Sequence, residues 1–547
     1  MQPSAHVDTF ARDRLPAPTD QPQFLFELPE LQFPPRLNCA ALLLDDAVAK
    51  GWGDRRCVIG ADGTVWTYAE LQAQANRIAN VLVHDMGLVP GNRVLLRAPN
   101  SPMLAACWCA VMKAGGIAVG TMPMLRAKEL GQILAKAQVT HALCDAALAD
   151  ELAQAAAAHP VLREVRHFGG VVDEPAECGL EARAARQSDA FTTVDTAADD
   201  VCLLAFTSGT TGLPKATMHF HRDVMAACAC FPPHVLRPQA DDVFIGSPPL
   251  AFTFGLGGLL LFPLAVGAAT VLLPKAGPNE LLDAIPRQGA TVLFTAPTSY
   301  RAMAEAAGQR RLAAGQGGTL RKCVSAGEVL PAATRALWQQ ATGLRLIDGI
   351  GATELLHIFI SADEAGAKPG ATGKAIPGYR ACVVDADLQP VPPGTVGRLA
   401  VQGPTGCRYL DDARQASYVQ GGWNLTGDAY LQDADGYFHY QSRTDDMIIS
   451  AGYNIAGPEV EDCLLRHPAV AECGVAGVPD DERGQIVKAW VVLKPGVAGD
   501  AACVQALQDF VKASIAPYKY PRAVAFVDSL PRTETGKLQR FRLRQSA

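Results

Sequence analysis

Val201-Cys202-Leu203-Leu204-Ala205-Phe206 passes directly into Thr207-Ser208-Gly209-Thr210-Thr211-Gly212-Leu213-Pro214-Lys215. The apolar half reads as a buried strand, and the hydroxyl- and glycine-rich half as the loop leaving it. Such a loop can aim backbone N–H and side-chain O–H groups at phosphate oxygens, with Lys215 adding charge. It is not a Walker loop, because five residues on from Gly209 stands Pro214 and not the required glycine. No Gly-x-Gly-x-x-Gly dinucleotide fingerprint occurs either. By itself the stretch reads equally as an ordinary surface loop, since Ser, Thr and Gly are common turn formers.

On its N-terminal side, Leu37 to about Asp199 alternates helical stretches such as Tyr68 to Met86 with short apolar strands such as Arg93 to Arg97, predicting parallel sheets covered by helices. The Ala-rich stretch Ala146 to Ala158 reads as a surface helix. Beyond Arg443 the texture changes to a compact unit the size of a small domain. There Pro458 opens a helix that ends before Pro468, strands follow at Ala471 to Val478 and Ile486 to Leu493, and Asp500 caps a helix with Val504, Leu507, Val511 and Ile515 on one face. A strand at Ala523 to Val527 and a glycine-containing loop to Lys537 complete it. The expected fold class is therefore α/β, with a large N-terminal domain (1–443) of helix-covered sheets and a small α+β C-terminal domain (444–547).

A chain of 547 residues exceeds what one core usually supports, which agrees with two domains. The net charge of -7 argues against a nucleic-acid partner, because phosphate-backbone binding relies on clustered Lys and Arg. Fifteen scattered cysteines, never spaced Cys-x-x-Cys, suggest neither a disulfide framework nor a zinc site and fit a reducing compartment. Met1 to Pro16 does not read as a secretory signal, so a cytoplasmic location is expected. The longest apolar run, Gly257 to Leu273, is interrupted by Pro263 and Gly267 and reads as buried helix and strand, with no membrane association.

Residue for residue, Thr207 to Lys215 resembles the signature loop of the adenylate-forming superfamily of acyl-CoA synthetases, luciferases and peptide-synthetase adenylation domains, and further signatures follow in that family's order. Ser325-Ala326-Gly327-Glu328 resembles the segment that passes the adenine. Asp348-Gly349-Ile350-Gly351-Ala352-Thr353-Glu354 resembles the motif in which Thr353 touches the α-phosphate and Glu354 helps hold Mg²⁺, an assignment that suits a hard cation. Leu425-Thr426-Gly427-Asp428 is similar to the segment whose Asp428 binds the ribose hydroxyls, Arg443 also reaches the ribose, and Asp445 sits at the hinge before a mobile small domain. Gly452 and Tyr453 fall in the segment lining the pantetheine channel, with an exposed glycine turn as the equal alternative for Tyr453. Pro531 to Arg540 resembles the loop that delivers the adenylation lysine, Lys537. An ammonium between the substrate carboxylate and the α-phosphate offsets the repulsion of two anions. The nucleotide set implied by the resemblance is Thr207, Ser208, Gly209, Thr210, Thr211, Lys215, Gly327, Glu328, Asp348, Asp428, Arg443 and Gly452, with Lys537, Thr353 and Glu354 catalytic and Glu354 at the metal.

The acid pocket is expected from Pro248 to Gly257 and Gly349 to Phe359. Thr253 stands where amino-acid-activating relatives place an Asp, which removes the partner of an α-ammonium. Gly351 stands where acetate-activating relatives carry a pocket-shortening Trp. Gly349 and Gly351 let backbone approach a flat molecule, and Phe254 can stack on it. With Ile350 and His357 these line a slot for an aryl acid, although a hydrogen-bonded wall residue is an equal reading for His357. Asp348 to Ser361 looks closest to benzoate and 2-aminobenzoate ligases, and Ser4 to Phe10 leans to the latter. The resemblance implies ATP, Mg²⁺ and coenzyme A as reactants with an aromatic carboxylic acid, in a monomer or homodimer. An enzyme loading a carrier protein is the alternative. His221 stands where relatives often carry a histidine, and it reads at least as well as a packed core residue.

Overall fold

The computed structural model describes residues 3–170, 172, 175–207, 214–444, 446–450, 453–480, 483–515, 517–532 and 538–545. Strand Val201–Thr207 does run into the core, and it pairs parallel with Ile117–Thr121 on one side and antiparallel with Lys215–Phe220 on the other. The sheet continues outward through Arg93–Arg97, His141–Asp145 and Glu164–Phe168, all parallel. Helices such as Pro102–Lys113 cover it, and the faces of these parallel strands are buried as an α/β sheet requires. A second, larger sheet orders Lys374–Ala375, Ile358–Ser361, Ile347–Gly351, Lys322–Ser325, Val292–Thr295, Val243–Gly246, Ala269–Leu272, Arg56–Gly60 and Val65–Thr67. A third sheet is antiparallel and holds Arg380–Val384, Val396–Gln402, Trp423–Gln432 and Phe438–Arg443.

Local chemistry accounts for the boundaries. The Thr67 side chain accepts the Glu70 N–H while the Glu70 carboxylate accepts the Thr67 N–H, so the helix from Tyr68 starts with its first-turn donors occupied. That helix is α to Asn80 and widens over Val81–Asp85, which together nearly fill the predicted Tyr68 to Met86. The Gly257 to Leu273 run becomes buried helical turns to Val266, a left-handed Gly267 (φ 74°) that ends them, and strand Ala269–Leu272. The Ala-rich segment is less exposed than expected, because Ala149, Leu152 and Ala155 pack inward from helix Ala149–Ala156. Arg56–Gly60 departs from the simple alternation: it joins the larger sheet and forms a hairpin with Val65–Thr67.

The small domain is α+β. Strands Val470–Asp480, Gly484–Leu493 and Ala523–Phe526 form its sheet, packed by helices Gly457–Leu465 and Ala501–Ser514. Pro458 lies in the first helical turn, and Asp500 caps the second helix by accepting the Cys503 N–H at 2.9 Å. Leu507 and Val511 are its buried face. The two domains touch where Asp462 accepts the Ala332 N–H at 2.8 Å and where Arg532 lies 3.5 Å from Glu328. None of the fifteen cysteines is paired in a disulfide. Among the described residues no helix is long and apolar enough to cross a membrane.

Candidate active site

Thr207 and Lys215 face each other in register at the loop end of their hairpin. The Thr207 hydroxyl is buried with no hydrogen-bond partner among the described residues. Ser208, Gly209, Thr210 and Thr211, which join the two strands, lie outside the described residues. Lys215 Nζ lies 3.3 Å from Glu354 Oε1 and donates to the Tyr409 hydroxyl at 2.6 Å, while that hydroxyl donates to the same Glu354 oxygen. The ammonium also sits 4.7 Å from the Tyr409 ring centre, within cation–π range. Burial, reinforced by the Glu354 charge, pushes the Tyr409 phenol far above its usual range, so it stays protonated.

Glu354 is placed by a hairpin tip. Strands Ile347–Gly351 and Ile358–Ser361 pair antiparallel, and the single turn Thr353–Leu355 closes them. Leu356 follows at φ 69°, a left-handed conformation unfavourable to a bulky side chain and sustained only where neighbours over-determine it. They do so here. Thr405 Oγ1 donates to the Leu355 carbonyl at 2.7 Å, and His219 Nε2 donates to the Thr353 carbonyl at 2.8 Å. Asp223 lies 3.7 Å from the other His219 nitrogen and accepts from Arg408 at 2.7 Å, all fully buried. Burial alone would raise the Asp223 pKa, but the Arg408 guanidinium dominates with its neighbours and holds the carboxyl down at about 2.

The nucleotide-side residues gather on adjacent elements. Asp348 pairs with Ser325 across parallel strands, just before Gly327 (φ 89°) and Glu328. Burial lifts the Asp348 pKa to about 7 against the opposing Arg335, 3.7 Å away. Asp428 and Arg443 are direct cross-strand partners, with Nη1 to Oδ1 at 2.9 Å, and Arg443 also donates to the Thr426 carbonyl at 3.0 Å. Burial first, and then the charges of Glu354 and, more weakly, Asp428, push the Tyr418 phenol up.

The expected acid pocket is aromatic. Phe254 packs 5.6 Å from Phe294 and 5.7 Å from His357, centre to centre, and Phe262 meets His357 edge-on at 4.5 Å. His357 is 3% exposed, and among the described residues neither ring nitrogen has a hydrogen-bond partner of acceptable geometry. Burial drives its pKa down to about 3, the Phe254 carbonyl opposing, so the ring is neutral. The glycines have a second explanation besides a flat ligand. A Cβ on Gly351 would lie 2.8 Å from the His357 carbonyl oxygen, and one on Gly349 2.9 Å from the Ile358 side chain. Close approach of the two hairpin strands therefore demands small residues at 349 and 351 whatever the pocket holds. Ile350, between them, is half-buried.

Lys537, Asp445 and Gly452 lie outside the described residues. The flanks of the Lys537 loop are described: Arg532 pairs with Leu538, and its guanidinium reaches both Glu328 at 3.5 Å and Glu472 at 2.8 Å. His221 is packed in the core. Its Nδ1 accepts the Cys39 N–H at 3.2 Å, which occupies the lone pair that a metal shared with Cys39 and Cys202 would need. The histidine that supports the site is His219, two residues earlier. Together with Tyr409, Asp223 and Arg408 it was missed by sequence reasoning, and only an Arg-Tyr pair inside an otherwise apolar loop hinted at the last of them.

A family model described as AMP-binding enzyme matches residues 45–408, and one described as AMP-binding enzyme C-terminal domain matches 459–537. The benzoate–CoA ligase of Thauera aromatica is 33% identical over 95% of this chain and 98% of its own. The crystal structure of the anthranilate CoA ligase AuaEII in complex with anthranoyl-AMP is 33% identical, covering 95% of this chain and 99% of that one with a TM-score of 0.89. A benzoate CoA ligase structure from Burkholderia xenovorans LB400 is 30% identical, covering 93% and 100%, with a TM-score of 0.83.

Proposed function

The chain belongs to the AMP-binding enzyme family, and from that premise we propose that it is an AMP-forming ligase joining an aromatic carboxylic acid, foremost 2-aminobenzoate, to coenzyme A. The observation that carries this reading is the convergence of Lys215, Glu354 and Tyr409 at the loop end of the Thr207–Lys215 hairpin, with Glu354 on the same strand connection as His357 of the aromatic wall. In the first half-reaction a carboxylate oxygen of the acid attacks the α-phosphorus of ATP, and the bond to pyrophosphate breaks. Thr207 and Lys215 hold phosphate oxygens, Thr353 holds the α-phosphate, and Asp428 with Arg443 holds the ribose. Lys537 bridges the two anions as they meet, offsetting their repulsion. In the second half-reaction the thiol sulfur of coenzyme A attacks the acyl carbon and AMP leaves, after the small domain turns about Asp445 to bring Gly452 to the channel.

Glu354 fits a magnesium ion: it offers a hard carboxylate oxygen, and Mg²⁺ is typically held by one or two carboxylates plus substrate phosphates. When bound, the ion would neutralise charge on the phosphates.

The aromatic wall and the absence of an acidic partner at Thr253 favour a flat, uncharged ring over an amino acid. Within that class, 2-aminobenzoate is favoured by the neutral His357, whose ring nitrogens make no well-formed hydrogen bond among the described residues and can accept from or donate to a ring substituent; benzoate is the second reading, supported by the benzoate-named relatives. The test is AMP release with and without coenzyme A across benzoate, 2-aminobenzoate, hydroxybenzoates, phenylacetate and a fatty acid. Coenzyme A-dependent release strongest with 2-aminobenzoate is expected. Pyrophosphate exchange with no response to coenzyme A would replace this reading with a carrier-protein loader.

A further inference from the structure

The Tyr409 hydroxyl is the atom shared by the two charged groups of the site. It donates to Glu354 Oε1 and accepts from Lys215 Nζ at 2.6 Å, while ammonium and carboxylate stand 3.3 Å apart. An unmediated charged pair closes to roughly 2.7–2.9 Å, so the hydroxyl is the nearer partner of both ions. The residue is itself held rigidly. Its backbone N–H donates to Gln415 Oε1 at 2.8 Å, and its ring meets Tyr418 edge-on at 5.7 Å.

We infer that Tyr409 is a positioning residue for the magnesium-bound nucleotide: it holds one Glu354 oxygen beside Lys215 and prevents Lys215 and Glu354 from neutralising each other in a closed ion pair. This rests on the proposed function, in which Glu354 serves the cation and Lys215 the phosphates. Both charges then remain available when phosphate and cation arrive together, and the hydroxyl orients the carboxylate as an outer partner orients a metal ligand.

The test is calorimetric titration of ATP into the full chain without acid, once with Mg²⁺ and once with EDTA, so that no turnover is read. Tyr409→Phe keeps the ring, its packing and the cation–π contact, and removes only the hydroxyl. The expected result is a loss of about tenfold in affinity confined to the magnesium arm, the lower end of what removing an outer partner of a metal ligand costs. Tyr418→Phe, whose hydroxyl is buried with no partner among the described residues, is expected to keep the magnesium increment. In a Glu354→Gln background Tyr409→Phe should add no further loss, because the carboxylate it orients is gone. An unchanged magnesium increment in Tyr409→Phe, an equal loss in both arms, or additive losses in the double variant would each overturn the inference. Wild-type chain that binds ATP no better with magnesium would overturn the proposed function and this inference with it.

Discussion

Replacing His357 by Phe tests the substrate assignment most directly. Both imidazole nitrogens are buried and make no well-formed hydrogen bond among the described residues, and the ring is enclosed by Phe254, Phe262 and Phe231 at centre distances of 5.7, 4.5 and 5.7 Å. A phenyl ring preserves that aromatic packing and removes only the polar edge. If one nitrogen bonds the 2-amino group, the variant loses one neutral hydrogen bond, about 0.5–1.5 kcal/mol, which is roughly a 2- to 12-fold fall in kcat/KM for 2-aminobenzoate relative to benzoate. Overpacking is the competing effect. A Cβ on Gly257 would already lie 2.8 Å from His357 Nε2, so the larger ring presses on that glycine. It lowers activity with both acids alike, which is why the ratio and not the absolute rate is the measurement. Since burial holds the imidazole pKa near 3, the wild-type preference should not change between about pH 6 and 9, where the ring is always neutral. A variant with the wild-type ratio, or a preference that titrates in that interval, would refute the contact and leave His357 as a wall residue.

Lys537→Ala should abolish most adenylate formation, measured as pyrophosphate exchange, while sparing thioester formation from supplied acyl-AMP; equal losses in both steps would remove Lys537 from its role. Gly351→Ala should destabilise the chain by about 1–3 kcal/mol, because its Cβ meets backbone that cannot swing aside, and calorimetry showing an unchanged Tm would contradict the close strand approach. Gly351→Trp is accordingly a poor probe of pocket depth, since the hairpin fails before the pocket is tested. Stability should also decline in acid through His6. Its folded pKa of about 4, set by burial against Asp200 and Asp8 and with His221 and Arg12, lies below the ordinary 6.5. The stability it contributes is present above pH 6.5 and lost as pH falls through about 4, up to about 3 kcal/mol in all. His6→Phe should flatten that part of a Tm-against-pH curve, and identical slopes in the two proteins would exclude the histidine as the cause.

The order of elements and the nucleotide motifs were legible in the linear chain because each depends on neighbours close in sequence. A helix cap such as Asp500, a proline at the start of Gly457–Leu465, and a hydroxyl-glycine loop after an apolar strand announce themselves within a few residues. Asp428 and Arg443 could be named separately, but that they are direct partners follows from strand register.

Other features needed the tertiary fold, since they join residues far apart with no local pattern. Tyr409 meets Glu354 and Lys215 from a third segment, and His219, not His221, supports the Glu354 turn because the strand ends at Phe220 and His221 already belongs to the following helix, which breaks the alternation that would have put both on one face. The glycines at 349 and 351 were rightly singled out, yet sequence could assign them only to a ligand. Once a hairpin brings the His357–Ile358 backbone against Gly351 and the Ile358 side chain against Gly349, strand packing alone accounts for them. Residue types declared the chemistry available to this chain, and the packing of distant strands decided which of those residues act on one another, because side-chain direction is set by register and burial that no short stretch encodes.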